Sequence, residues 1–171
     1  MRIAYTMTGQ RGGTDLLLAG LAARLAAQGL RTCGVVQINS ECGPDRPCDM
    51  DVRVLPDGPV IRISQSLGPG ARGCRLDPEA LETAVGLVEA QLAKGADVLI
   101  VNKFGKHEAE GRGFRGVIAE ALAQDVPVVV GLSRMNHAAF LEFAGDLATE
   151  VAPDESALAG WLAEARADLA A

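Results

Sequence analysis

The apolar run Val98-Leu99-Ile100-Val101 and the polar stretch that follows it, Asn102-Lys103-Phe104-Gly105-Lys106-His107-Glu108-Ala109-Glu110-Gly111-Arg112-Gly113-Phe114-Arg115, constrain this chain more than any other segment. Four consecutive apolar residues have no polar face, so they read as a strand covered on both sides. The polar stretch carries two lysines, two arginines, a histidine and two glutamates, and a helical pattern resumes from Gly116 to Ala123. Strand, polar loop and helix in succession are the unit of an open α/β sheet, where ligands sit beyond the carboxyl ends of the strands. The functional face is expected at this loop.

The rest of the chain repeats the unit. Arg2–Thr8 reads as a first strand, followed by the glycine-rich turn Gly9-Gln10-Arg11-Gly12-Gly13-Thr14-Asp15 and a helix from Leu16 to Gln28. Thr14 or Asp15 is its expected N-cap, and Gly29 its C-terminal stop. Thr32–Ile38 is a second strand. Met50–Leu55 and Pro59–Ser64 form an edge hairpin across Pro56-Asp57-Gly58, a turn in which Pro presets φ and Gly accepts a positive φ. Asp77-Pro78 opens a helix with a capping carboxylate and an N1 proline. Asp97–Val101 is the strand described above, and Val126–Leu132 is another. Asn136–Ala144 is a short helix, Leu147–Val151 a last strand, and a helix fills Asp154–Leu169. This order predicts one α/β domain over residues 1–171: three layers around a mostly parallel sheet, with the hairpin at its edge. Right-handed crossovers then place Gly9–Asp15 and Asn102–Gly113 on the same sheet edge.

Composition agrees and excludes some functions. Aromatic residues are 4% of the 171 residues, so the core must be built from Ala, Val, Leu and Ile. The formal net charge of −6 argues against nonspecific nucleic-acid binding, which needs a basic field. No apolar run has the length of a membrane span, and the N-terminal residues carry no secretory signal, so a cytoplasmic protein is expected. The Ala/Leu-rich C-terminal helix around Trp161 either closes the domain or meets a second subunit.

Four cysteines occur, with no C-x-x-C pair. Cys33 falls in a strand and reads as core. Cys42, Cys48 and Cys74 fall in loop-rich sequence, where they are either small loop residues or a three-thiolate metal or cluster site.

Gly9–Asp15 holds the position where phosphates are cradled, because glycines let N–H groups converge and the helix N-terminus favours an anion. It lacks the lysine of G-x-x-x-x-G-K-[ST], having Gly13 and Thr14 there, and its one cation is Arg11. Further cations follow the strands: Lys103 and Lys106, Arg112 and Arg115, Arg134 after the next strand, and Arg72 and Arg75 in a glycine-rich segment. Cations gathered at strand ends suit phosphate or another tetrahedral oxyanion such as molybdate. The alternative is a tight βα turn with solvated charges around it. His107 and His137, the only histidines, lie near the same edge and are chemically able to act as acid or base.

Three segments carry a resemblance: Gly34-Val35-Val36-Gln37, Ile63 to Asp77 with its Gly68-Pro69-Gly70-Ala71-Arg72-Gly73-Cys74 centre, and Val101 to Arg115. Over nearly its full length the chain resembles a bacterial domain-of-unknown-function family, distantly similar to P-loop nucleoside-triphosphatases of the thermophile and cancer-related type. That family is associated with molybdenum-transport and nitrogenase gene neighbourhoods. The resemblance implies a P-loop-like fold and a nucleotide with magnesium, or molybdate, as ligand; the residues read above as its binding set are Gly9, Arg11, Gly12, Gly13, Thr14, Asn102, Lys103, Lys106, Arg112, Arg115 and Arg134. It implies nucleoside-triphosphatase activity, weak or lost, or else a noncatalytic accessory role in molybdenum metabolism with a homo-oligomer or molybdenum-uptake partner. In active relatives the strand ending here at Val101 continues into acidic residues that hold Mg²⁺, whereas this chain continues with Asn102 and Lys103.

Overall fold

The computed structural model describes residues 1–39, 49–65 and 75–171. The strands are β1 (Ile3–Thr6), β2 (Thr32–Asn39), β3 (Met50–Val54), β4 (Val60–Arg62), β5 (Val98–Phe104), β6 (Val128–Leu132) and β7 (Ala148–Glu150). The helices are α1 (Gly13–Ala27), α2 (Pro78–Leu92), α3 (Lys106–Ala109), α4 (Arg115–Ala123), α5 (His137–Ala144) and α6 (Glu155–Ala170). The seven strands form one sheet in the order β4-β3-β2-β5-β6-β1-β7. β2, β5, β6, β1 and β7 run parallel, and β3 and β4 add the antiparallel hairpin at one edge.

Period-two alternation in the central strands divides the interior between the two faces. Leu99 and Val101 of β5, with Val128 and Val130 of β6, pack under α2, α4 and α5. Val98, Ile100 and Val129 pack under α1 and α6. The molecule is therefore a three-layer α/β structure, as the order of segments predicted. Trp161 is buried with Leu158 and Leu162 on the α1 side, so the C-terminal helix closes that layer.

Local chemistry sets the element ends. Asp77 caps α2, its Oδ1 accepting from the N–H groups of Glu79 and Ala80 at 3.0 and 3.2 Å. Gly34, in the middle of β2, has φ of +110°, and a Cβ there would lie 1.9 Å from the Ile100 carbonyl oxygen. Only glycine lets β2 come this close to β5.

Three expectations need correction. Helix α1 begins at Gly13, not Leu16; its N-cap is Gly12, at φ 75°, rather than Thr14 or Asp15, which lie inside the first turn. β5 does not stop at Val101 but runs to Phe104, because Phe104 is fully buried and pairs with Leu132. The polar stretch after it is not all loop, since Lys106–Ala109 forms α3 and places His107 on a helix.

Candidate functional site

The carboxyl edge of the sheet brings the β1–α1 turn against the end of β5. The register of β5 on β6 shifts between Val101, opposite Val130, and Phe104, opposite Leu132. Three β5 residues thus span two on β6, the form of a β-bulge, which re-aims side chains. Within this irregularity Asn102 turns inward, 2% exposed, while Lys103 is exposed.

Asn102 is held from two sides. Its Nδ2 donates to Asp15 Oδ1 of α1 at 2.7 Å, and its Oδ1 accepts from the Gln37 N–H of β2 at 2.9 Å. An amide fits because it donates to one neighbour and accepts from the other; a carboxylate there only accepts. Helix α1 approaches closely, for a Cβ on Gly131 would lie 2.7 Å from Thr14 Cγ2. Thr14 Oγ1 lies 3.0 Å from Thr8 Oγ1, and Thr8 Oγ1 also donates to the Gln10 carbonyl at 3.1 Å, tying the turn to itself.

A cavity of about 210 Å³ opens over this turn, lined by Arg11, Gly12, Thr14, Asp15, Lys103 and Ser133 among others. Arg11 and Lys103 are exposed, and neither forms an ion pair among the described residues. Gly9 and Gly13 belong to the same turn but do not line the cavity. A second cavity, of about 550 Å³, adjoins it and shares Asn102, Lys103 and Ser133.

The remaining expected cations divide. Lys106 and Arg112 line only the larger cavity, and both turn to Glu110. Lys106 Nζ lies 3.8 Å from it, and hydrogen bonding from Arg112 holds the Glu110 carboxyl below its usual range. Arg115 is not brought to either cavity: its guanidinium lies 4.7 Å above the Phe143 ring and donates to the Glu108 carbonyl at 3.2 Å. Arg134 is exposed and lines neither. Arg72 lies outside the described residues, as do Cys42, Cys48 and Cys74 with the thiolate site suggested for them. Among the described residues no three of His, Cys, Asp and Glu gather as metal ligands.

Glu108 has a function that its sequence context conceals. It is 3% exposed, and its two carboxylate oxygens accept from the N–H groups of Gly105 at 2.9 Å and Phe114 at 3.0 Å. The carboxylate thereby clasps both ends of the β5–α4 connection. The capping spacing from Gly105 to Glu108 was the available signal. His107 lines the larger cavity. His137 lies elsewhere, its Nε2 3.1 Å from the hydroxyl of Tyr5, which donates to Glu150 at 3.4 Å.

Known proteins resemble this chain in sequence and in fold. A molybdenum import ATP-binding protein, ModC 2 of Bradyrhizobium diazoefficiens, is 33% identical over 160 residues, which are 94% of this chain and 18% of that protein. The chain thus spans less than a fifth of its curated relative. Among solved structures, THEP1 from the hyperthermophile Aquifex aeolicus superposes with a TM-score of 0.61 at 17% identity, covering 96% of each chain. A human cancer-related nucleoside triphosphatase superposes with a TM-score of 0.60 at 18% identity, covering 88% of this chain and 89% of its own. The sheet and its flanking helices therefore share the architecture of these two structures. The family model described as a protein of unknown function (DUF2478) matches residues 3–161, so this chain belongs to the DUF2478 family.

Proposed function

We propose that the β1–α1 turn binds the phosphate groups of a nucleotide, with hydrolysis weak or lost. The observation that carries this reading is Lys103, an exposed cation without an ion pair among the described residues, beside the cavity over the turn. It supplies from β5 the positive charge that a standard phosphate loop carries within itself. The fold shared with a human nucleoside triphosphatase and the sequence likeness to a protein named for ATP binding support the ligand class. Gly9, Gly12, Gly13 and Thr14 would shape the cradle, with Arg11 as a second cation. Magnesium is commonly held by one or two carboxylates together with substrate phosphates. Asp15, with the hydroxyls of Thr8 and Thr14, offers such a donor set once a phosphate is present, and the metal would neutralise phosphate charge. Hydrolysis is weak because Asn102, committed to Asp15 and Gln37, replaces the carboxylate that holds metal on this strand. Lys106 and Arg112 act at longer range, and Arg115 and Arg134 lie outside the binding set.

A second reading follows from the relative's role in molybdenum import. In it the same cavity binds molybdate, and the chain is a cytoplasmic accessory of molybdenum metabolism. No helix among the described residues is long and apolar enough to cross a membrane.

A thermal-shift panel separates the readings: ATP and GTP with and without Mg²⁺, then phosphate, molybdate and tungstate. At a hundredfold excess over Kd, a ligand of the native state adds about 2.7 kcal/mol. For a chain of this size that raises Tm by roughly 5–10 °C. A shift with nucleotide that falls in Lys103→Ala supports the first reading. A shift with molybdate or tungstate alone supports the second, and no shift with any nucleotide refutes the first.

A further inference from the structure

The nucleotide reading leaves the larger cavity unused. At about 550 Å³ it is the size of a small-molecule site. Its walls are apolar: Val35 of β2, Val52 of β3, Ile63, Leu81 of α2 and Phe114, all buried residues that border it. These five side chains come from separate parts of the chain, so the hollow lies between elements of the fold and is not a gap in one loop.

Cationic and acidic side chains also line it, and most of that charge is already committed. Lys106 and Arg112 meet Glu110, and Arg75 lies 3.8 Å from Asp49. The Glu108 carboxylate is occupied by two backbone N–H groups. Lys103 also lines the cavity, exposed and without an ion pair among the described residues. A largely apolar chamber bordered by a cation that has no ion pair among the described residues complements a ligand with an apolar body and one negative group.

We propose that this chamber binds a small organic anion. Its aromatic or branched body lies against Val35, Val52, Ile63 and Leu81, and its carboxylate or phosphate head meets Lys103. Because Lys103, Asn102 and Ser133 border both cavities, the head group sits at the junction with the phosphate cavity. Two ligands would then meet at one lysine. The inference rests on the chamber and holds whether or not a nucleotide occupies the turn.

The test is nuclear magnetic resonance on the full chain, with methyl labels reporting Val35, Val52, Ile63 and Leu81 and amide labels reporting Gly12 and Thr14. The probes are naphthoate, its neutral analogue naphthamide, inorganic phosphate, and ATP with Mg²⁺. Naphthoate is expected to move the four methyl-bearing residues and to bind more tightly than naphthamide. In Lys103→Ala, an exposed position whose loss leaves the core intact, naphthoate binding should weaken about tenfold or more, with naphthamide unchanged. Failure of naphthoate to move these methyls overturns the proposal, as does equal binding of naphthamide or an unaltered naphthoate affinity in Lys103→Ala. Phosphate or nucleotide reports through the Gly12 and Thr14 amides, so silence there refutes the nucleotide reading and leaves the chamber standing.

Discussion

Replacing Asn102 by aspartate tests the site's electrostatics directly. In the native chain the Asn102 amide donates to Asp15 at 2.7 Å and is 2% exposed. Asn102→Asp sets two carboxylates at that separation. Two like charges so close repel by about 6 kcal/mol at an effective dielectric constant of about 20. Keeping one carboxyl protonated at pH 7 costs about 4 kcal/mol, from an ordinary aspartate value near 4 and about 1.4 kcal/mol per pH unit. The proton is the smaller cost, so the pair shares one, and the variant loses about 4 kcal/mol of stability at pH 7. At pH 5 the same cost falls to about 1.5 kcal/mol. The sign follows from linkage: a carboxyl protonated in the folded state favours folding at low pH and loses that advantage as pH rises. Urea denaturation of both proteins at the two pH values measures this difference. A divalent cation between the carboxylates would also relieve the repulsion, so added Mg²⁺ should recover stability at pH 7 in the variant alone. A variant as stable as the native chain at pH 7, or a deficit independent of pH, would refute the reasoning.

Further expectations follow from other contacts. Glu108→Gln exchanges an acceptor oxygen for an N–H₂ facing a backbone N–H, and should cost about 2–3 kcal/mol by denaturation, with amide exchange accelerating first at Gly105 and Phe114. Asp97 accepts from the Arg31 N–H at 2.7 Å and lies 3.5 Å from Arg166. Burial opposes its charge, but hydrogen bonding from Arg31 prevails and holds the carboxyl below its ordinary value. Its contribution is therefore present above the unfolded-state pKa and lost as pH falls through the lower folded value; Asp97→Asn should flatten that acid limb of the stability profile. Burial pushes the Cys33 thiol up to about 11, so a disulfide reagent at pH 8 should modify it only when the chain unfolds.

Much of this architecture is readable without coordinates. Apolar runs at Val98–Val101 and Val128–Val130 announce strands covered on both faces, and Asp77-Pro78 announces its helix, because burial and capping leave local patterns. The boundaries that failed are those where distant contacts outweigh local preference. Lys103 looks like a loop residue, yet burial of Phe104 against β6 carries β5 past it. Thr14 and Asp15 are good capping residues, yet Gly12 takes the cap and Asp15 turns to Asn102.

The candidate site divides in the same way. Residue types along the chain establish that cations follow strand ends and that a glycine-rich turn precedes the first helix. Charge alone does not show which cations matter. Arg115 and Lys103 are equally basic in sequence, but the fold lays Arg115 over Phe143 and leaves Lys103 between two cavities. Secondary structure and layer order follow from periodicity, a property of neighbouring residues. Partner choice for a charge, and the space left beside it, depends on residues such as Asp15 and Asn102, far apart in the chain. Only folding brings those together.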